Sequence, residues 1–366
     1  MSRELIPARV SPPGRIIKKE IKARGWTQKD LAIVMGRPVQ AINEIIKGNK
    51  RITPETAVEL GAAFGTSPRF WSNLETNYRL WLVENNKEAS DIVKRSKLYS
   101  LLPVREMQKR NWLKESSTVE ELEASVNELL GINYLEEETP LPVNFRCSPG
   151  KKPDIPSKLA WVKRVEYLAL QRGVSHFKAE KLLANLSEIL SLSERVESIR
   201  TIPEILGKYG VKFVIVPHLP KTYIDGAAFF LEDSPVVALS LRYDRIDSFW
   251  FNLCHEISHI IYGHGQSFLD VNLFENEAGE RVLPKEEEEA NKQAANWLVD
   301  PEAYLGFLRR VKPFFSRRNI IEFAQTQHRH PGIILGRLQR EGYVPYANLR
   351  SLLKKVSPCL QNFIDR

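Results

Sequence analysis

The sequence predicts an α+β protein that is mostly α. An all-α helix-turn-helix module opens the chain, a helical middle follows, and helices flank a small β-sheet at the C-terminal end. Three observations predict this. Two short helical runs on either side of Gly36-Arg37-Pro38 have the tight glycine-containing turn of a helix-turn-helix. Three short apolar or β-branched runs, 211–217, 227–231 and 236–240, are separated by turn residues. Directly after them, His255-Glu256-Ile257-Ser258-His259 sits inside a long apolar helical run.

The length, 366 residues, suits two domains or more, and 43% hydrophobic content is ordinary for a globular chain. No apolar run reaches membrane-spanning length, and the N-terminus lacks a signal-peptide core. Cys147, Cys254 and Cys359 are odd in number, widely spaced and without a C-x-x-C pair, so reduced thiols in a cytosol are expected. The net charge of +8 is concentrated early: residues 1–80 hold 14 Lys and Arg against 7 Asp and Glu, or +7 of that total. This asymmetry is expected of a module that binds nucleic acid.

Residues 1–80 read as that module. Ser11-Pro-Pro-Gly-Arg opens a helix with Ile16, Ile17 and Ile21 on its apolar side, ending near Gly25. Thr27 is the expected N-cap of the next helix, which Gly36 closes. Pro38 suits the first turn of the third helix, which ends at Gly48 and is the expected major-groove reader. Its Gln40, Asn43, Glu44 and Lys47 are spaced to face one way, and Gln and Asn can pair bidentately with adenine edges. Arg37, Lys47, Lys50 and Arg51 are the expected phosphate contacts, and Thr27 and Gln28 complete the DNA-facing set. Thr53-Pro-Glu-Thr and Ser67-Pro68 begin two more helices.

The run TQKDLAIVMGRPVQAINEIIKGNKRITPETAVELGAAFGTSPRFWSNLETNYRL resembles the HigA-type antitoxins of the Xre helix-turn-helix superfamily, whose fold is lambda-repressor-like. The resemblance covers about a fifth of the chain. It implies a dimeric repressor that binds double-stranded operator DNA and has a toxin partner.

Residues 81–200 read as a helical connecting region with no evident chemistry, with helices at 158–172 and 176–190. Within it, Glu136 to Pro142 and Cys147 to Pro153 have the composition of a linker or exposed loop. Residues 201–345 then form the second domain, and 346–366 a C-terminal tail. Tyr223-Ile-Asp-Gly226 is read as a turn before the strand that starts at Ala227.

Two histidines four apart lie one above the other on a helix, so His255 and His259 can offer two imidazoles to one metal ion. Glu256, one step round, is placed as a general base rather than a ligand. Aromatic and aliphatic residues surround the motif, and a buried helix carrying His, Glu and His requires compensation for those polar groups. A catalytic zinc needs a third protein ligand. His264, five places after His259, is swung off the ligand face.

Glu287 is the better candidate. With Leu283, Ala290, Asn291, Ala294 and Leu298 it forms one helical stripe, and a carboxylate on a core-facing stripe needs a cation. Glu286, one position round, is the alternative ligand. Asn291 is a candidate to orient Glu287, and Asp247 a supporting partner or a helix cap. His330 is either an oxyanion donor or a turn histidine with no such role.

The stretches IDGAAFF, LSLRYDRIDSFWFNLCHEISHII, EEEEANKQAANWLVDP and HRHPGIILGRLQREG resemble the ImmA/IrrE-type zinc peptidases over roughly residues 200–345. That resemblance implies a zincin-like, gluzincin-type fold with Zn2+ on His255, His259 and Glu287 and Glu256 as base. The sequence departs from the family pattern at Asp300, which stands where an apolar residue is usual before the helix-ending proline. The combined expectation is a cytoplasmic, homodimeric regulator with a zinc endopeptidase domain that cleaves a repressor or toxin-related protein. The competing expectation is a non-enzymatic regulator or antitoxin whose peptidase-like domain senses a ligand or binds a partner.

Overall fold

The computed structural model describes residues 11–84, 87–131, 144–147, 154–263, 274–275, 281–282 and 285–365. The chain divides into two compact units, Met1–Lys97 and Leu98–Arg366. No helix among the described residues is long and apolar enough to cross a membrane.

Among the described residues the regular elements of the first unit are all helices: α1 (Pro13–Ala23), α2 (Gln28–Val34), α3 (Val39–Lys47), α4 (Pro54–Phe64), α5 (Pro68–Glu84) and the start of α6 (Lys87–Leu101). Ile17, Leu31, Ile42, Leu60 and Trp71 fill its core. Thr27 caps α2 in a full capping box with Asp30, which satisfies backbone N–H groups that the first turn leaves without helical partners. Gly48 ends α3 at a φ of +81°, where a side chain would be strained, and its carbonyl accepts a bond from Arg79 of α5 at 3.1 Å. Helix α1 crosses α3 so closely that a Cβ on Gly14 would lie 2.0 Å from the carbonyl oxygen of Ile46.

The second unit is built on a sheet with helices on both faces. Its elements are α7 (Val104–Lys109), α8 (Val119–Leu130), β1 (Asn144–Cys147), α9 (Ile155–Leu170), α10 (Ala179–Ala184), α11 (Leu186–Ser191) and α12 (Ile202–Lys208). They continue with β2 (Lys212–Ile215), β3 (Ile224–Leu231), β4 (Ser234–Leu239), α13 (Ile246–Ile261), β5 (Phe274–Glu275) and β6 (Arg281–Val282). The chain ends with α14 (Lys285–Leu298), α15 (Pro301–Val311), α16 (Arg317–Thr326) and α17 (Pro331–Arg340). The main sheet has strand order β1-β3-β4-β2, with β3 antiparallel to both β1 and β4 and β2 parallel to β4. β5 and β6 form a separate antiparallel pair.

Strand alternation separates two cores. Phe213, Ile215, Ala228, Val237 and Leu239 share one core with α13, α14 and α17. Val214, Val216, Ala227, Phe229 and Ala238 share the other with α7, α8 and α9. Burial on both faces explains why these strands read as continuous apolar runs.

The structure departs from the sequence reading in several places. β1, a fourth strand of the sheet that the sequence reading did not assign, lies between the two stretches read as linker or loop and shares Cys147 with the second; residues 132–143 and 148–153 lie outside the described set, as does His264. Gly226 belongs to β3 rather than to a turn before it. The helix expected at 176–190 is broken at Asn185 into α10 and α11. Much of the region read as connecting is core: Met107, Val126, Trp161 and Val165 are fully buried, and the Trp161 indole donates to the Val216 carbonyl at 2.8 Å. The expected tail is also packed, with Val356 and Leu360 buried and Asp365 paired with Arg164 at 2.7 Å.

Candidate metal centre and DNA-reading face

Helix α13 is buried along nearly its whole length, His255, Glu256 and His259 included. It lies across β3 and β4 and packs on α14, whose inward stripe is Glu287, Ala290, Ala294 and Leu298; Asn291 is half-buried, and Leu283 lies outside the described residues. Glu287 sits in the first turn of α14, where the positive helix end favours a carboxylate.

The three expected ligands converge. His255 Nε2 and His259 Nε2 are 3.0 Å apart, His255 Nε2 is 3.3 Å from one Glu287 oxygen, and His259 Nε2 is 3.2 Å from the other. This is the one cluster of metal-ligand type among the described residues. Zinc bonds of 2.0–2.1 Å in a tetrahedron put neighbouring ligand atoms about 3.3–3.4 Å apart. The observed spacings sit close to that edge, so the donor set fits zinc in both chemistry and size. Burial pushes the Glu287 pKa up, but hydrogen bonds from His255 and His259, and their charge, more than reverse this and hold the carboxyl well below its usual range. Glu286 is half-buried beside it and takes no part in the cluster.

Glu256 is 1% exposed and points toward β3. A Cβ built on Gly226 would fall 2.6 Å from Glu256 Oε1, so the strand passes over the carboxylate with no room for a side chain. The sequence reading missed this role for Gly226. The available signal was a glycine inside a strand-like apolar run, which marks close approach.

The remaining candidates are placed elsewhere. Asn291 accepts a hydrogen bond from Arg340 at 3.2 Å. Asp247 is buried at the first turn of α13, paired with Arg245 at 2.7 Å and packed where a Cβ on Gly336 of α17 would collide with it. It anchors the start of α13, two helical turns from His255. His330 is the N-cap of α17, its Nδ1 accepting from the Gly332 amide at 3.0 Å, and Gly332 abuts Ile246 at the same far end of α13. Of the two readings of His330, this placement is that of the turn histidine. Cys254 is fully buried, with its thiol pushed up to about 12 by desolvation, which makes it a packing residue.

In the first unit, α3 exposes Gln40 and Lys47, with Asn43 and Glu44 half-buried beside them and Lys50 and Arg51 exposed just beyond its end. Thr27 is exposed and Gln28 half-buried at the start of α2. Arg37 is the exception. Its guanidinium forms a two-pronged pair with Glu59 of α4, at 2.5 and 3.0 Å, so it braces the helix-turn-helix instead of standing free for phosphate.

This fold, with a capped helix, a glycine turn and a second helix exposing polar readers above a basic rim, defines a helix-turn-helix DNA-binding module. A family profile described as Helix-turn-helix matches residues 17–71. A protein described as an uncharacterized HTH-type transcriptional regulator from Haemophilus influenzae is 36% identical over 75 residues, 20% of this chain and 70% of that one. Antitoxin HigA-1 from Vibrio cholerae is 34% identical over 83 residues, 22% of this chain and 78% of its own length. A solved addiction module antidote protein of a HigA family from Coxiella burnetii is 28% identical, covering 24% of this chain and 94% of its own, with a TM-score of 0.22. Through its N-terminal unit the chain belongs to the Xre-type helix-turn-helix family of transcriptional regulators, with HigA-type antitoxins among its relatives.

Proposed function

We propose that the protein is a HigA-like, operator-binding regulator whose second unit is a zinc-dependent endopeptidase of ImmA/IrrE type and zincin-like fold. The observation that carries this reading is the convergence of His255, His259 and Glu287 at ligand spacing beside a buried Glu256. Zinc would be held by the two Nε2 atoms and a Glu287 oxygen. Bound there it supplies Lewis acidity, making water acidic and polarising a carbonyl. Glu256 takes the proton from the attacking water and returns it to the leaving amine. Gly226 leaves space for that carboxylate, and the Arg245–Asp247 pair and the α13–α17 packing hold the helix that carries it. The substrate is a protein, either a repressor or a toxin partner of the kind that HigA-type relatives imply.

Metal analysis of the purified chain tests this directly. About one zinc per chain is expected, with cleavage of a disordered protein lost on chelation and restored by zinc. A chain that takes up no divalent metal on titration would overturn the reading and leave only the regulator.

For the DNA-binding arm, the protein acts as a homodimer with α3 of each copy in the major groove, Gln40 and Asn43 at base edges and Lys47, Lys50 and Arg51 at phosphates. Lys47→Ala and Lys50→Ala should each flatten the dependence of log affinity on log salt by about 1. Arg37→Ala should leave that slope unchanged. It should cost at most about 1 kcal/mol of stability, since solvent screens a pair whose Glu59 side chain is 35% exposed. Titrations at three or more salt concentrations distinguish these outcomes, and an altered slope in Arg37→Ala would return that residue to the phosphate contacts.

A further inference from the structure

The sheet contains a strand whose position concerns the candidate site itself. β3 is the strand that passes over Glu256, with Gly226 against the carboxylate. One edge of β3 is hydrogen-bonded to β4, and the other is taken by β1, a four-residue segment of the same chain. The two strands run antiparallel, with Asn144 opposite Ala228, Phe145 opposite Ala227 and Arg146 opposite Gly226. An extended peptide that uses backbone pairing to lie beside Glu256 has to pair with this same edge, because no other edge of β3 is open to it.

From this the geometry points to a specific assignment: the outer edge of β3 is the seat of an extended peptide substrate, and residues 144–147 occupy it as an internal stand-in. The assignment rests on the endopeptidase reading and adds to it the substrate's conformation, its direction relative to β3, and self-coverage of the site. β1 is suited to displacement. It is short, and its register slips between Arg146 and Cys147, so it gives up few ladder bonds on leaving. While in place, it competes as a tethered ligand at an effective concentration of order millimolar, which weakens any incoming strand.

The test uses the full-length chain and a fluorescent peptide of its own sequence from Pro142 to Gly150. Successive strand residues alternate the edge to which their amides point, so Phe145→Pro and Arg146→Pro together remove one of the β3-facing donors whichever residue supplies it. The doubly substituted chain should bind the peptide about tenfold more tightly or better than the parent. In the parent, saturating peptide should quicken hydrogen exchange at 144–147 by about tenfold, a readout that does not depend on the variant folding. Equal binding by the two chains, or exchange at 144–147 unchanged at saturation, would overturn the assignment. Zinc content is measured in the same samples. Zinc present without strand exchange sinks the seat alone, whereas strand exchange without zinc uptake sinks the peptidase.

Discussion

Glu256→Gln should leave the zinc content of the protein unchanged and lower the turnover of a disordered protein substrate by about 10²–10⁴-fold, the usual contribution of a general base. The amide has the shape of the carboxylate but cannot take a proton at neutral pH, so the fold and the three ligands stay as they are. Glu256 is nearly fully buried and sits against Gly226, which gives a second way to remove the base without touching it. Gly226→Val places new atoms where Oε1 and the Ala238 carbonyl oxygen already stand, at 2.6 and 3.1 Å from the new Cβ. It should displace the carboxylate and cost turnover on the same scale with His255, His259 and Glu287 still holding metal. Parallel kcat measurements and metal analysis decide the matter. Unchanged cleavage by the zinc-loaded Glu256→Gln chain would remove this residue from the mechanism.

The parts of the molecule that were legible in its sequence are those set by local chemistry. Thr27 and Gly48 bracket helices because a cap oxygen and a left-handed glycine act within one turn, and both stand where the sequence puts them. Glu287 could be picked from four consecutive glutamates because helical period alone puts it on the stripe with Ala290, Ala294 and Leu298. What the sequence hid depends on distant partners. β1 is four residues long, too short for alternation to register, and it is a strand only because β3 offers an edge some eighty positions away. Arg37 looks like a free cation at a turn until α4 brings Glu59 to it. His330 sits in a motif-like stretch, yet its ring is committed to the first turn of α17. Polar residues near a site in sequence are poor guides to the site, because their hydrogen bonds are settled by packing that no local pattern encodes.

Glu287→Ala should abolish metal binding. Loss of outer partners of metal ligands already costs about 10–100-fold in affinity, and loss of a ligand in direct contact with the metal should exceed that. Glu286→Ala is the control. Its side chain is half-buried one position round α14 and lies outside the cluster, so zinc should remain at the parent level. If Glu286→Ala lost the metal and Glu287→Ala kept it, the ligand assignment would be reversed. A second effect belongs to the metal-free chain. There the Glu287 carboxylate is held below its ordinary range by His255 and His259, against the upward pull of burial. A folded-state pKa below the unfolded one means that the stabilisation is fully present above the unfolded value near 4.5 and is lost as pH falls through the depressed folded value. The stability gap between metal-free parent and Glu287→Ala should therefore be wide near neutral pH and should close in strong acid. Thermal melts of both chains in chelator across that range measure it. A gap that widens toward acid would show that Glu287 is protonated in the folded chain and that the two imidazoles are held by something else.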